Sequence, residues 1–247
     1  MDLKEIDLSG IDPNSHWYYR TKRIPVLQAL KDVLSRTQTA LNIVDIGSGS
    51  GFFSDCLIRF GGRRIFNVDL VDTGYPDAQS VPDERIQGCV TRRRELPSRI
   101  VNSLVLMMDV LEHVKDDAGL LRRVTERCEG KNRFFITAPA FMSLWSSHDV
   151  FLGHHRRYTL PQLTALAHDC GLRVTANYYL YGAILPAVWL TRRRKGAAGG
   201  AGDLGPMNKT LASILELICR FEFIFRKLNK FAGVTCVIEG IFEQNRK

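Results

Sequence analysis

The stretch Val44-Asp45-Ile46-Gly47-Ser48-Gly49-Ser50-Gly51 constrains the fold more than any other part of the chain. An apolar run carrying one acid passes directly into three glycines spaced by serines. The run reads as a buried strand, and the glycines as the tight turn that ends it. Glycine reaches positive φ without strain and has no Cβ, so a bound molecule can lie against the backbone. In open α/β sheets, a Gly-rich turn between a parallel strand and the next helix is where nucleotide-like cofactors bind. The spacing G-x-G-x-G departs from the dinucleotide pattern, because Phe52 stands where that pattern has its last glycine or alanine.

Strands and helices alternate after the turn. Phe52–Phe60 reads as a helix and Arg64–Leu70 as a second strand ending in an acid. Asp69 lies roughly twenty residues beyond the glycines, the spacing at which a carboxylate takes the hydroxyls of a ribose. Asp72 is its rival. Arg85–Thr91 reads as a third strand. Val101–Met108 is a long apolar run ending at Asp109, the pattern of a buried parallel strand. Ala118–Glu129 reads as a helix stopped by Gly130, and Lys131–Thr137 as a fifth strand. Thr159 is placed to cap a helix over Pro161–Asp169, which Gly171 ends. Leu172–Tyr178 reads as a sixth strand and Gly233–Phe242 as the last.

Three segments resemble one family. The glycine turn resembles motif I of class I S-adenosylmethionine-dependent methyltransferases. Asp109-Val110-Leu111-Glu112-His113-Val114 resembles the fourth-strand motif of the small-molecule members. Leu144-Trp145-Ser146-Ser147-His148-Asp149, with Gly153-His154-His155-Arg156-Arg157-Tyr158-Thr159, resembles a signature of bacterial members linked to sugar, lipid and isoprenoid assembly. The resemblance spans His16–Tyr178. It implies an α/β, Rossmann-like fold: a seven-stranded, mostly parallel sheet with an antiparallel last strand, helices on both faces and a helical insertion before the last strand. The chain then divides as one domain over 1–247. Residues 1–40 form an N-terminal helical cap, 41–178 the cofactor-binding core, 179–232 an apolar-basic helical insertion or lid, and 233–247 the last strand and tail.

The resemblance also assigns roles. The implied cofactor is S-adenosyl-L-methionine, held by Asp45, Gly47, Ser48, Gly49, Gly51, Asp69, Leu70, Asp109 and His113. The aromatic-basic run His16-Trp17-Tyr18-Tyr19-Arg20 either closes over the cofactor, with Arg20 or Arg23 near its carboxylate, or anchors the N-terminal helix over Ile24–Ser35. Relatives place an acid after the third strand to hold the adenine; Gly88-Cys89-Val90-Thr91 offers none, leaving that contact to backbone. His148, oriented by Asp149 or a backbone carbonyl, is the expected base, with His154 and His113 as alternatives. Arg157, Tyr158 and Trp145 are expected to hold the acceptor. His148, Asp149, His154 and His155 fit no helical H-x-x-x-H spacing, and methyl transfer requires no metal, so none is expected.

Composition bounds the setting. A chain of 247 residues with 45% hydrophobic content can bury a sizeable single core. The six cysteines are scattered singly, which suggests neither a disulfide framework nor a zinc site, and a reduced cytoplasmic setting. No signal peptide pattern is visible in the polar run Met1–Glu5. The net charge of +8 is clustered at Arg92–Arg94, Arg122/Arg123, Arg156/Arg157 and Arg192–Lys195. Such clusters hold phosphates or stay solvated. Within the insertion, Gly196–Pro206 reads as a flexible loop, and Leu211–Phe231 as an apolar-basic helix. That helix is a lid on the sheet, a dimer contact, or a surface lying on anionic lipid at the inner face of a membrane. The expected activity is O- or N-methylation of a small-molecule, sugar- or lipid-linked acceptor. An RNA methyltransferase is the alternative kept by the basic charge, but no RNA-binding module appears, so nucleic acid is not expected as a partner. A membrane-docked scaffold without turnover has no need of the glycines.

Overall fold

Ser103–Met108 is buried along its whole length, and its side chains alternate between two apolar layers. Leu104, Leu106 and Met108 enter one layer, Val105 and Met107 the other. This is the behaviour of a central strand covered on both faces. The computed structural model describes residues 12–75, 77–195 and 208–243. Residues 1–5 and the Gly/Ala-rich stretch 196–206 lie outside them.

The strands in chain order are β1 (Leu41–Ile46), β2 (Ile65–Val71), β3 (Gln79–Pro82), β4 (Cys89–Arg93), β5 (Ser103–Met108), β6 (Arg133–Pro139), β7 (Leu172–Leu180) and β8 (Thr235–Phe242). They form one eight-stranded sheet in the order β3-β4-β2-β1-β5-β6-β8-β7. The core is parallel, and β8 runs antiparallel between β6 and β7, pairing Ile238 with Ile136 and with Asn177. The seven strands expected from the sequence are all present. The eighth, β3, is a short exposed edge strand that pairs antiparallel with β4. A separate two-residue ladder joins Ile100–Val101 to Cys128–Glu129.

The helices are α1 (Trp17–Leu34), α2 (Phe52–Gly61), α3 (Asp117–Arg127), α4 (Ser147–Leu152), α5 (Leu160–Asp169), α6 (Leu185–Lys195) and α7 (Lys209–Ile224). Val26 and Leu30 of α1, Leu57 and Ile58 of α2, and Cys219 and Phe223 of α7 cover one face of the sheet. Leu120, Leu121 and Val124 of α3, with Leu163 and Ala167 of α5, cover the other. Thr159 caps α5 as expected, and with Gln162 it forms a full capping box.

Several boundaries move. Helix α1 starts at Trp17, capped by His16, with Pro25 inside it. The helix expected over Ile24–Ser35 is thus longer at its start by the aromatic run, and Pro25 lies inside it although proline favours the first turn. Strand β2 runs on through Val71, so Asp69 is inside it and Asp72 follows its end. Strand β7 runs to Leu180, and the insertion spans 181–234. Chain order runs outward from β1 through β2 to β4, then crosses back to β5 on the other side of β1. That reversal opens a crevice at the carboxyl ends of β1 and β5.

Candidate active site

The glycine turn is shaped by its backbone. Gly47, Gly49 and Gly51 have φ of 68°, 54° and 76°. A Cβ on Gly47 would lie 2.6 Å from Val110 Cγ2, so the β1 and β5 ends can approach only with glycine here. The amides of Gly47 and Ser48 donate to Val71 O at 2.8 and 3.2 Å, pinning the turn to the end of β2. The Asp72 carboxylate accepts from the Gly49 amide at 3.1 Å and the Gly74 amide at 3.0 Å. The Tyr75 hydroxyl donates to Gly49 O at 2.6 Å and lies 3.2 Å from Ser48 Oγ.

A cleft of about 910 Å³ lies beside this turn. Ile46 and Gly47, Asp72 and Thr73, Arg94 to Leu96, and Asp109, Val110 and His113 line it. Of the two rival acids Asp69 and Asp72, Asp72 is the one on its wall. Asp69 is bound instead by Arg93 Nη2 at 2.7 Å. Burial pushes the Asp69 carboxyl upward while Arg93 opposes the shift. Strand β4 starts and ends later than the expected Arg85–Thr91, and Arg94, Glu95 and Leu96 just beyond it line the cleft, which sequence reasoning missed. Leu70 is buried in the core below Gly51.

Asp45 is buried and accepts from Ser54 Oγ at 2.7 Å, joining β1 to the first turn of α2. Burial raises its pKa from 3.8 to about 6, against the opposing Ser54 hydrogen bond. A carboxyl raised in the folded state binds more protons folded than unfolded, so its contribution to stability falls as pH rises from about 4 to 6 and stays low above. Asp45→Asn keeps an acceptor for Ser54 and removes the buried charge. It is expected to unfold about 2–3 kcal/mol less readily than the parent at pH 7, with the gap closing below about pH 4. Urea titrations at the two pH values check this.

Asp109 and His113 also line a second, inner pocket of about 100 Å³, together with Tyr18, Tyr19, Lys22, Glu112, His148, His154, Arg157 and Arg192. Asp109 holds a positive φ of 54°. Its amide donates to Thr137 Oγ1 at 3.0 Å, and its carboxylate accepts from Thr137 Oγ1 at 2.8 Å and from Lys22 Nζ. Lys22 is buried, and Tyr18 Oη accepts its second hydrogen bond at 2.9 Å. Burial disfavours the Lys22 charge, but Asp109 more than compensates and lifts its pKa. Lys22 was not singled out in the sequence. Its signal was a basic residue on the stripe shared by Tyr18, Val26, Ala29 and Val33. Arg20 instead pairs with Glu216 of α7 at 3.1 Å. Of the aromatic run, Trp17 and Tyr19 are core residues, and Tyr18 and Tyr19 line the inner pocket.

Asp149 is the hub of the distinctive loop. Its carboxylate accepts from Arg157 Nε and Nη2 at 2.7 and 3.0 Å, from the Ser146 amide at 2.9 Å, and lies 2.8 Å from His154 Nδ1. Burial works against its ionisation, but His154 and Arg157 together hold its pKa well below the carboxylate range. Asp149 therefore orients His154, one of the two alternative bases. The Arg157 fork is spent on Asp149 and on Ala140 O at 3.1 Å. The Tyr158 hydroxyl donates to Asp117 at 2.7 Å within the core, bracing the loop. Trp145 is half-buried ahead of α4. His113 ends a short 3-10 turn and lines both pockets, while Asp116 caps α3 through the Gly119 amide. Glu112 is fully buried, and among the described residues neither carboxylate oxygen has a hydrogen-bond partner. Burial, then the Asp109 charge, pushes its pKa far above the carboxylate range.

Crevice, glycine turn and sheet order define an α/β fold of the methyltransferase type. Residues 17–177 match the family described as a methyltransferase domain, which covers more than half the chain, and the protein belongs to that family. A chain from the complex between the Haloferax volcanii Trm112 methyltransferase activator and a methyltransferase is similar at 16% identity and TM-score 0.52, over 100% of both chains. A Mesorhizobium loti S-adenosylmethionine-dependent methyltransferase is similar at 14% identity and TM-score 0.52, over 93% of this chain and 100% of that one. The cyclase SpnF is similar at 9% identity and TM-score 0.50, over 88% and 80%. At these identities the likeness shows the fold alone, and a fold hosts more than one reaction. No curated protein matches the sequence.

Proposed function

We propose that the protein transfers a methyl group from S-adenosylmethionine to an oxygen or nitrogen of a small, sugar- or lipid-linked acceptor. The observation that carries this reading is the cleft beside the glycine turn, which meets the inner pocket at Asp109 and His113. Its size suits a small-molecule site. The close approach at Gly47 leaves backbone against which a nucleoside fits. Asp72 would hold the ribose hydroxyls, Glu95 and Leu96 would flank the base, and Asp109 and His113 would face the methionine end. When bound, the cofactor supplies an electrophilic methyl on sulfonium.

The chain's own work is placement and proton transfer. Tyr18, Tyr19 and Lys22 wall the inner pocket and exclude water from it. His148 lines the same pocket and takes the proton of a hydroxyl or ammonium acceptor. Incubation with methyl-labelled cofactor and separated aqueous and lipid extracts tests the reading: label should enter one fraction. His148→Gln is expected to lower turnover by about a hundredfold or more while S-adenosylhomocysteine affinity is kept. Label in neither fraction counts against methyl transfer, and full turnover in the variant removes His148 from the chemistry.

The lipid-linked form of the acceptor is supported by α7. Leu211, Ile214, Leu217, Phe221 and Ile224 recur at helical spacing and are exposed, followed by Phe225, Leu228 and Phe231. Lys209, Arg220, Lys227 and Lys230 border them. An apolar face with a basic fringe suits the surface of an anionic bilayer. Helix α7 packs on α1, whose Tyr18, Tyr19 and Lys22 wall the inner pocket. Among the described residues no helix is long and apolar enough to cross a membrane. Vesicles containing anionic lipid should bind the protein, and a Leu217→Glu/Phe221→Glu variant should bind at least about tenfold more weakly. A stable homodimer that ignores vesicles would assign the face to a second copy.

A further inference from the structure

We infer that Glu112, His113 and His154 form a binding site for a first-row divalent transition-metal ion on the wall of the inner pocket. The set differs from the His148, Asp149, His154 and His155 group considered on sequence spacing, and only His154 is common to both. Each of the three residues offers a ligand atom, and these atoms lie within 4.8 Å of one another. A tetrahedral zinc with ligands at about 2.1 Å sets its ligands about 3.4 Å apart. Side-chain movements of about an ångström close that gap.

Two observations beyond the clustering point to a cation. The first is Glu112. It is 0% exposed, and among the described residues neither carboxylate oxygen has a hydrogen-bond partner. Buried carboxylates are paired, hydrogen-bonded or bound to metal. The cations of the same pocket are engaged elsewhere: Lys22 with Asp109, Arg157 with Asp149, and Arg192 with Leu144 O and Asp149. The second is the support behind His154. Its Nδ1 lies 2.8 Å from Asp149 Oδ1, which leaves Nε2 as the ligand atom. A carboxylate on the far nitrogen of an imidazole is the usual backing of a metal-bound histidine, fixing its tautomer and raising its basicity. Asp149 is itself held by the Arg157 fork. The two ligand segments are tied directly, since the His155 amide donates to Glu112 O at 2.7 Å.

Two imidazoles and one carboxylate suit Zn²⁺, Mn²⁺ or Fe²⁺ and leave coordination positions open. Glu112, His113 and His154 all line the inner pocket, so the open positions face it. Water or an oxygen of the acceptor would complete the shell there. The role of the ion in presenting an acceptor oxygen rests on the methyl-transfer reading, whereas cation binding does not.

The test uses the full chain stripped with a chelator and titrated with Zn²⁺, Mn²⁺ or Co²⁺. Equilibrium dialysis with metal analysis should give one ion per chain, and Co²⁺ should develop the visible absorption of a low-coordinate site. Glu112→Gln and His154→Ala should each weaken binding by about tenfold or more, and Asp149→Asn by about tenfold through the loss of its support for His154. S-adenosylhomocysteine binding, measured on the same variants, reports folding and the cofactor reading separately. Retained nucleoside binding with no stoichiometric metal uptake overturns the site. So does equal metal affinity in the parent and in Glu112→Gln.

Discussion

Lys22→Met is expected to destabilise the protein by about 3 kcal/mol, the lower end of the range for breaking a buried pair by removing one partner. The lower end applies because the Asp109 side chain keeps 28% exposure while Lys22 has 2%. Methionine fills much of the lysine volume, so the cost comes from charge. Asp109 would retain Thr137 but lose its cation, in a backbone conformation already at positive φ. A fall in Tm of about 10 °C follows for a chain of this size. The double variant Lys22→Met/Asp109→Asn should recover part of the loss, because the stranded charge is then gone. Thermal unfolding of the three proteins checks both statements. A single variant as stable as the parent would mean that the pair does not hold α1 to the end of β5.

The second large effect is expected at the turn. In Gly47→Ala the new methyl would meet Val110 at 2.6 Å, and alanine would have to hold a φ of 68°. Conformational strain of this kind costs about 1–3 kcal/mol before the clash is counted. The loop relieves both by moving away from β5, which deforms the cleft. S-adenosylhomocysteine affinity should therefore fall by at least about tenfold. The global fold should persist, since the sheet pairing of β1 with β2 and β5 does not involve Gly47. Calorimetric titration of the variant, with circular dichroism as the control for folding, reads the two effects apart.

What was legible in the sequence was local. The glycine turn, the buried run of β5 and the Thr159 cap each follow from a few neighbouring residues, and the sheet came with the family that those motifs resemble. What was illegible depended on distant partners or on strand ends. Lys22 meets Asp109 across 87 residues of chain. Asp149 and Arg157 invited assignment to catalysis and acceptor binding, because isolated charges look available for ligands. The fold joins them to each other, and the pair holds His154. Asp69 and Asp72 differ by three positions, and only the true end of β2 shows which one reaches the cleft. Glu112 lay within a recognised motif, yet its orphaned carboxylate appears only once the loop around it has closed.

The central claim is that the Gly47–Gly51 turn and Asp72 cradle a sulfonium nucleoside. Isothermal titration of the chain with S-adenosylhomocysteine tests it most directly, beside Gly47→Ala and Asp72→Ala. One molecule bound per chain, with clearly weaker binding in both variants, is the predicted result. Silence on titrating the parent chain, or equal affinity in all three proteins, would contradict it.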